Sequence, residues 1–147
     1  MSWDVFCMHL PPGMKSMADM PEEFRPPPIG PRAEIVAKIC AAFPECDFSD
    51  PSWGRLDAPG CIVEISPGDE EIVDVVCLHV RGDSRAPAVV VKILDALGLR
   101  AIDPSSESGV FEHDPALQSQ SFERWRAYRD KVVGSFTASA SDEPQSE

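Results

Sequence analysis

Two short strings carry the residue types that could bind a metal or activate a nucleophile: Cys7-Met8-His9 and Cys77-Leu78-His79. Each reads Cys-x-His inside an extended, largely apolar run. The period of two along a strand puts both members of a pair on one face. If the two strands are neighbours, two thiolates and two imidazoles meet, the ligand set of a tetrahedral zinc site. The competing reading is plainer: two half-buried strand faces ending in polar residues, in a protein that carries no cofactor. Asp57 and Glu64 lie across a hairpin, where paired carboxylates could exchange a proton with a substrate. No GxSxG elbow, P-loop or GxGxxG string is present to frame a nucleophile or a phosphate.

Other residues point to binding rather than to catalysis. Asp69, Glu70, Glu71 and Asp74 form an acidic run without the DxDxDG spacing of an EF-hand loop. That run is either a solvated turn or a docking surface for a basic partner. Trp53 and Arg55 follow the turn Asp50-Pro51-Ser52. They read either as an interface anchor or as a tryptophan closing one end of the core.

The element that must organise these residues is the stretch 71–102. Residues 72–80 are rich in β-branched side chains, with Val76, Leu78 and Val80 on one face. Gly82 ends that strand, and Asp83 or Ser84 is placed to cap a helix that tolerates Pro87 in its first turn. Val90, Ile93, Leu94 and Leu97 recur at helical spacing, and Gly98 stops the helix. Upstream, residues 3–10 alternate as a first strand. Residues 11–31 hold seven of the fifteen prolines, with Met14, Met17 and Met20 spaced three apart. These methionines suit either a loop covering the edge of the core or an adaptable binding surface. Pro31 suits the start of a helix whose stripe is Ile35, Val36, Ile39, Cys40 and Phe43, and Pro44 ends it. Residues 45–52 read as a polar loop. Strands 54–58 and 61–66 flank Pro59-Gly60 as a hairpin. Residues 109–112 suit a short last strand, and 116–136 an amphipathic helix of net charge +2. Residues 137–147 carry −3 and no core-forming side chain, the composition of a disordered tail.

The expected architecture is one α+β domain over 1–136, a single mostly antiparallel sheet with helices packed on one face. Its order is β-α-β-β-β-α-β plus a C-terminal helix. Without the first hairpin strand, this is the β-α-β-β-α-β of ferredoxin-like domains.

Composition narrows the partners. The 147 residues carry a net charge of −12. Residues 1–114 alone hold 20 acidic and 9 basic side chains, hence −11. Charge of that sign opposes nucleic acid and anionic membranes, which need clustered Lys and Arg. No run is long enough for a membrane span, and the N-terminus lacks a signal-peptide pattern. Five cysteines, an odd number with no CxxC pair, suggest reduced thiols in a cytoplasmic protein.

The strings MSWDV, PPPIGPR, DPSWGR, HVRG and SESGVFE resemble a family of short bacterial proteins of unknown function. They are spread along residues 1–112, and the family implies no activity, ligand or catalytic residue. From Pro31 onward, size, acidity and element order are also similar to type III secretion chaperones. That resemblance implies a homodimer that binds an extended segment of another protein. The leading expectation is a non-enzymatic protein-binding module, immunity-type or chaperone-type, meeting its partner through Trp53, Arg55, Asp69, Glu70 and Glu71. The alternative is a small enzyme or metal protein using Cys7, His9, Cys77 and His79.

Overall fold

Alternation of apolar and polar side chains decides which strands form and which way each faces. In the computed structural model, which describes residues 2–111 and positions 123 and 127, six strands build one sheet. They are β1 (Trp3–Met8), β3 (Asp47–Asp50), β4 (Trp53–Ala58), β5 (Cys61–Ser66), β7 (Val76–Gly82) and β8 (Arg100–Ile102). Their order across the sheet is β3-β4-β5-β7-β1-β8, and every neighbouring pair is antiparallel. Two more short strands, β2 (Gly30–Pro31) and β6 (Ile72–Val73), pair apart from that sheet. The helices are α1 (Arg32–Ala42) and α2 (Ala86–Leu97).

Trp3, Val5 and Cys7 on β1 share one face with Val76, Leu78 and Val80 on β7, and with Cys61, Val63 and Ile65 on β5. Ile35 and Ile39 of α1 and Val90, Ile93, Leu94 and Leu97 of α2 complete the same core. The expected α+β class is therefore the observed one. Within the sheet, β5-β7-β1-β8 has the strand order of a split β-α-β arrangement, and α2 links two strands that flank β1. The strands β3 and β4 extend it at one edge. Lys92 Nζ sits 4.5 Å from the centre of the Phe43 ring and ties α2 to the end of α1.

Local signals explain most boundaries. Gly98 caps α2 at φ 65°. That left-handed conformation is one glycine adopts without steric cost. The start of α2 differs from expectation. Neither Asp83 nor Ser84 is its N-cap; Arg85 is, and Asp83 instead accepts from the Arg85 backbone N–H and guanidinium. Pro31 stands one place earlier than expected, as the N-cap of α1. Residues 72–80 are two strands and not one, because Ile72–Val73 pairs with Gly30–Pro31 while Val76–Gly82 joins the main sheet. Residues 47–50, read from sequence as loop, form the edge strand β3. Its polar residues hide a single anchor: the Phe48 ring fills the space where Gly54 lacks a Cβ.

The methionine-bearing loop covers part of the other face of the sheet. Met8, Leu10, Met14 and Val110 form a second buried cluster, joined by Phe6, Met20, Phe24 and Ile102. A single 3-10 turn, Met17–Asp19, holds the middle of that loop. Arg100 donates to the carbonyls of Pro11 and Met14 and pins it. The expected last strand at 109–112 is reduced to a bridge between Ile102 and Val110. The expected C-terminal helix and acidic tail lie outside the described residues, apart from Glu123 and Ala127, which are helical and exposed.

Candidate functional site

The second buried cluster lies over β1 and β8, while a strip of the outer sheet face across β4, β5 and β7 carries exposed and half-buried side chains. In-register pairing across that strip puts Asp4, His79, Glu64 and Arg55 in one row. Trp53 belongs to the same face, because Gly54 and Leu56 alternate with it and point to the core. It is therefore no lid on the core: it is 43% exposed, among the few exposed large apolar side chains of the described residues.

Trp53 is nevertheless held. Its indole Nε1 donates to Glu64 Oε2 at 3.0 Å. Its ring stacks on His79, with centroids 5.6 Å apart and planes 20° from parallel. An offset stack of this kind is a favoured geometry for two π systems. Glu64 is the hub, with its side chain only 19% exposed. Its second oxygen, Oε1, accepts from Arg81 Nη2 at 2.9 Å. His79 Nδ1 lies 2.9 Å from Asp4 Oδ1, and Ser2 Oγ donates to that same oxygen at 2.6 Å. Ser2, Asp4, His79, Trp53, Glu64 and Arg81 thus form one connected polar-aromatic network. Such a network restricts the rotamers of the side chains it joins.

The sequence candidates separate. Arg55 joins Trp53 on the outer face and pairs loosely with Asp57, Nε to Oδ2 at 3.4 Å. Asp57 and Glu64 share that face, but the register sets Glu64 opposite Arg55 and Asp57 opposite Ile62. Each carboxylate pairs with its own arginine, Asp57 with Arg55 and Glu64 with Arg81, so the expected acid–base pair does not form.

The four candidate metal ligands do not converge either. Strands β1 and β7 are neighbours as required, yet the register pairs Cys7 with Val76 and Cys77 with Phe6. Cys7 therefore points into the core and Cys77 to the outer face. His9 is exposed beyond the end of β1, and His79 is engaged by Asp4. Among the described residues, no group of three or more His, Cys, Asp or Glu side chains is placed to hold a metal ion. Cys77 and His79 remain on one face, but a nucleophilic thiol needs a lowered pKa. Burial, and then the Asp4 carboxylate, pushes the Cys77 thiol up.

Asp69, Glu70 and Glu71 stand elsewhere, beside the start of α1. The Arg32 backbone N–H donates to the Glu71 carbonyl at 2.8 Å, and Arg32 Nη1 to the Gly68 carbonyl at 3.4 Å. The acidic loop is thus tied at both ends to one residue of α1. It borders a hollow of about 420 Å³ lined by Pro31, Ala33, Val36, Phe48, Pro51 and Glu71, together with Arg32.

The roles of Asp4, Glu64 and Arg81 in the outer network were not visible in the sequence as such. A signal existed for two of them, since Glu64 and Arg81 interrupt apolar strands at outward positions. No helix among the described residues is long and apolar enough to cross a membrane. Comparison with family models, curated proteins and solved structures gave no match.

Proposed function

We propose that this chain is a non-enzymatic protein-binding module of the immunity or chaperone kind, whose outer sheet strip receives another protein with Trp53 as the anchor. One observation carries the reading: a large aromatic side chain stands 43% exposed while a hydrogen bond and a stacked ring hold it in place. Unsupported exposed aromatics cost solubility, whereas preorganised ones serve as interface anchors. Both edges of the sheet disfavour binding by strand addition. At β3, Asp47 and Asp50 turn back on Ser49 and Ser52, and the pairing register shifts between them. At β8, Val110 and Phe111 pair along the edge.

The acidic surface suits a basic partner and acts on the encounter rate. The test is kinetic. A partner captured from host lysate is purified and its binding followed against the wild-type chain. Trp53→Ala should speed dissociation about 30-fold, as for loss of about 2 kcal/mol at an anchor, with little change in association. Glu70→Lys with Glu71→Lys should slow association at low salt and flatten its salt dependence. Unchanged dissociation from the Trp53→Ala chain would remove the outer strip from the interface.

A further inference from the structure

We propose that the hollow beside the start of α1 is a docking groove for an extended basic segment of the partner protein, one apolar side chain entering between Lys or Arg residues. This rests on the protein-binding reading and adds a second surface to it, on the other side of the sheet from Trp53.

The floor of the groove is apolar for reasons fixed elsewhere in the fold. Ile35 and Ile39 turn to the core, which leaves Ala33 and Val36 on the outward flank of α1. Phe48 is pinned over Gly54, so its ring cannot swing inward to close the hollow. Pro31 and Pro51 supply rigid walls without backbone donors. The apolar track continues beyond the hollow. Ile72 pairs with Pro31, so its side chain lies on the same side of that ladder. Ile72 is also 53% exposed. An elongated track of this kind fits a peptide better than a compact small molecule.

The rim sets the sign of the occupant. Glu71 lines the hollow, and the loop tied at Gly68 and Glu71 to Arg32 carries Asp69 and Glu70, both exposed, beside it in the chain. The Asp50 carboxylate, which accepts from Ser52 Oγ at 2.7 Å, lies within electrostatic reach of Arg32. The Glu34 carboxylate lies 3.7 Å from where a Gly30 side chain would begin. Arg32 is the sole cation among the described lining residues, and its guanidinium is directed to the Gly68 carbonyl. An anionic ligand would meet the Glu71 carboxylate and the acidic loop that carries it, whereas a Lys or Arg side chain complements them while an apolar neighbour leaves water. A volume of about 420 Å³ accommodates one large side chain and its backbone.

The test uses the full chain and a short synthetic peptide alternating arginine and leucine, read by backbone amide shifts in NMR. Saturable shifts at Ala33, Val36 and Phe48, weakened by salt, are the expected result. The same peptide with glutamate for arginine, or glycine for leucine, should not saturate. Glu71→Lys and Val36→Arg should each weaken binding by about tenfold or more, and Trp53→Ala should leave it unchanged. Absence of saturation below about 1 mM overturns the proposal. So do shifts confined to Trp53 and His79, or equal binding of the glycine peptide. Groove shifts that follow protein concentration without peptide name a second copy as occupant and overturn it equally. Peptide binding that survives while natural-partner binding ignores Trp53 keeps the groove and removes the outer strip. The reverse pattern removes the groove alone.

Discussion

Leu78 and His79 are neighbours on β7 and serve opposite faces of the same sheet. The inner face, with Leu78, is closed over by two helices and contains almost no polar side chain among the described residues. The outer strip, with His79, is a chain of charge-assisted contacts around one exposed tryptophan. The inner face gains stability from removing apolar area from water, about 25 cal/mol per Å². The outer face gains little, because exposed ion pairs are each worth about 1 kcal/mol or less. What it gains is rigidity at a surface the core does not need, which is the property a binding face requires.

Comparing Trp3 with Trp53 should give the largest difference. Trp3 is fully buried, packs against Phe111 and donates Nε1 to the buried Asp103 at 3.0 Å. Trp3→Ala should cost about 3–5 kcal/mol in urea unfolding. Trp53→Ala should cost about 1 kcal/mol or less. Equal losses would mean that Trp53 belongs to the core and would end the distinction between the faces.

The adjacent pair on β7 sharpens it. Leu78→Ala should cost about 2–5 kcal/mol, since the side chain is fully buried among β-branched neighbours. His79→Ala should cost about 1 kcal/mol or less, because it removes one half-exposed stack and one contact to Asp4. A loss below about 1 kcal/mol for Leu78→Ala would contradict the register of β7.

Much of this architecture was legible because it is written locally. The stripes of α1 and α2, the Gly98 cap, the alternation in β1 and the hairpin of β4 and β5 are all short-range patterns. What escaped was non-local. Parity put Cys77 and His79 on one face, as observed, whereas β1 ends at Met8 and leaves His9 exposed beyond it while Cys7 is buried. Only the register between β1 and β7 decides that Cys7 and Cys77 face opposite ways, and no single strand encodes register. The break at Asp74 and Val75 escaped for the same reason, since Ile72–Val73 is drawn away by Gly30–Pro31. The edge strand β3 offered one apolar side chain, Phe48, among polar ones, too little for a periodic signal. The outer strip was only partly legible: Trp53 read as lying just before a strand at 54–58, and the convergence of Glu64, His79 and Asp4 on it needed the pairing.

The cysteines offer a chemical probe of the same contrast. Burial, with a smaller contribution from Asp83, pushes the Cys61 thiol from 9.0 to about 11, and burial likewise pushes Cys46 to about 11. The unfolded chain releases these protons first, so folding loses stability as pH rises from 9.0 towards about 11, and none of this loss appears below that window. Cys61→Ala should flatten the decline in urea titrations. In the native chain at neutral pH, the half-buried Cys40 and Cys77 should take maleimide first. Cys7, Cys46 and Cys61 should react only as the chain opens. Early labelling of Cys7, read by peptide mass spectrometry, would place it on the outer face with Cys77.

The smallest expected effect tests whether the outer network positions Trp53 or merely surrounds it. Glu64 accepts from Trp53 with one oxygen and from Arg81 with the other. Glu64→Gln keeps a single acceptor, so either the indole or the guanidinium must face an amide N–H. Stability should change by about 1 kcal/mol or less, because the pair with Arg81 is largely exposed on the arginine side. The stack on His79 alone would then hold the Trp53 ring, and its indole N–H should exchange faster with water. Against a captured partner, Glu64→Gln should speed dissociation by less than Trp53→Ala does, and the two changes together should cost no more than Trp53→Ala alone. That non-additivity is the signature of one residue acting through another. Additive effects would instead make Glu64 a contact in its own right, and the anchor would owe nothing to its carboxylate.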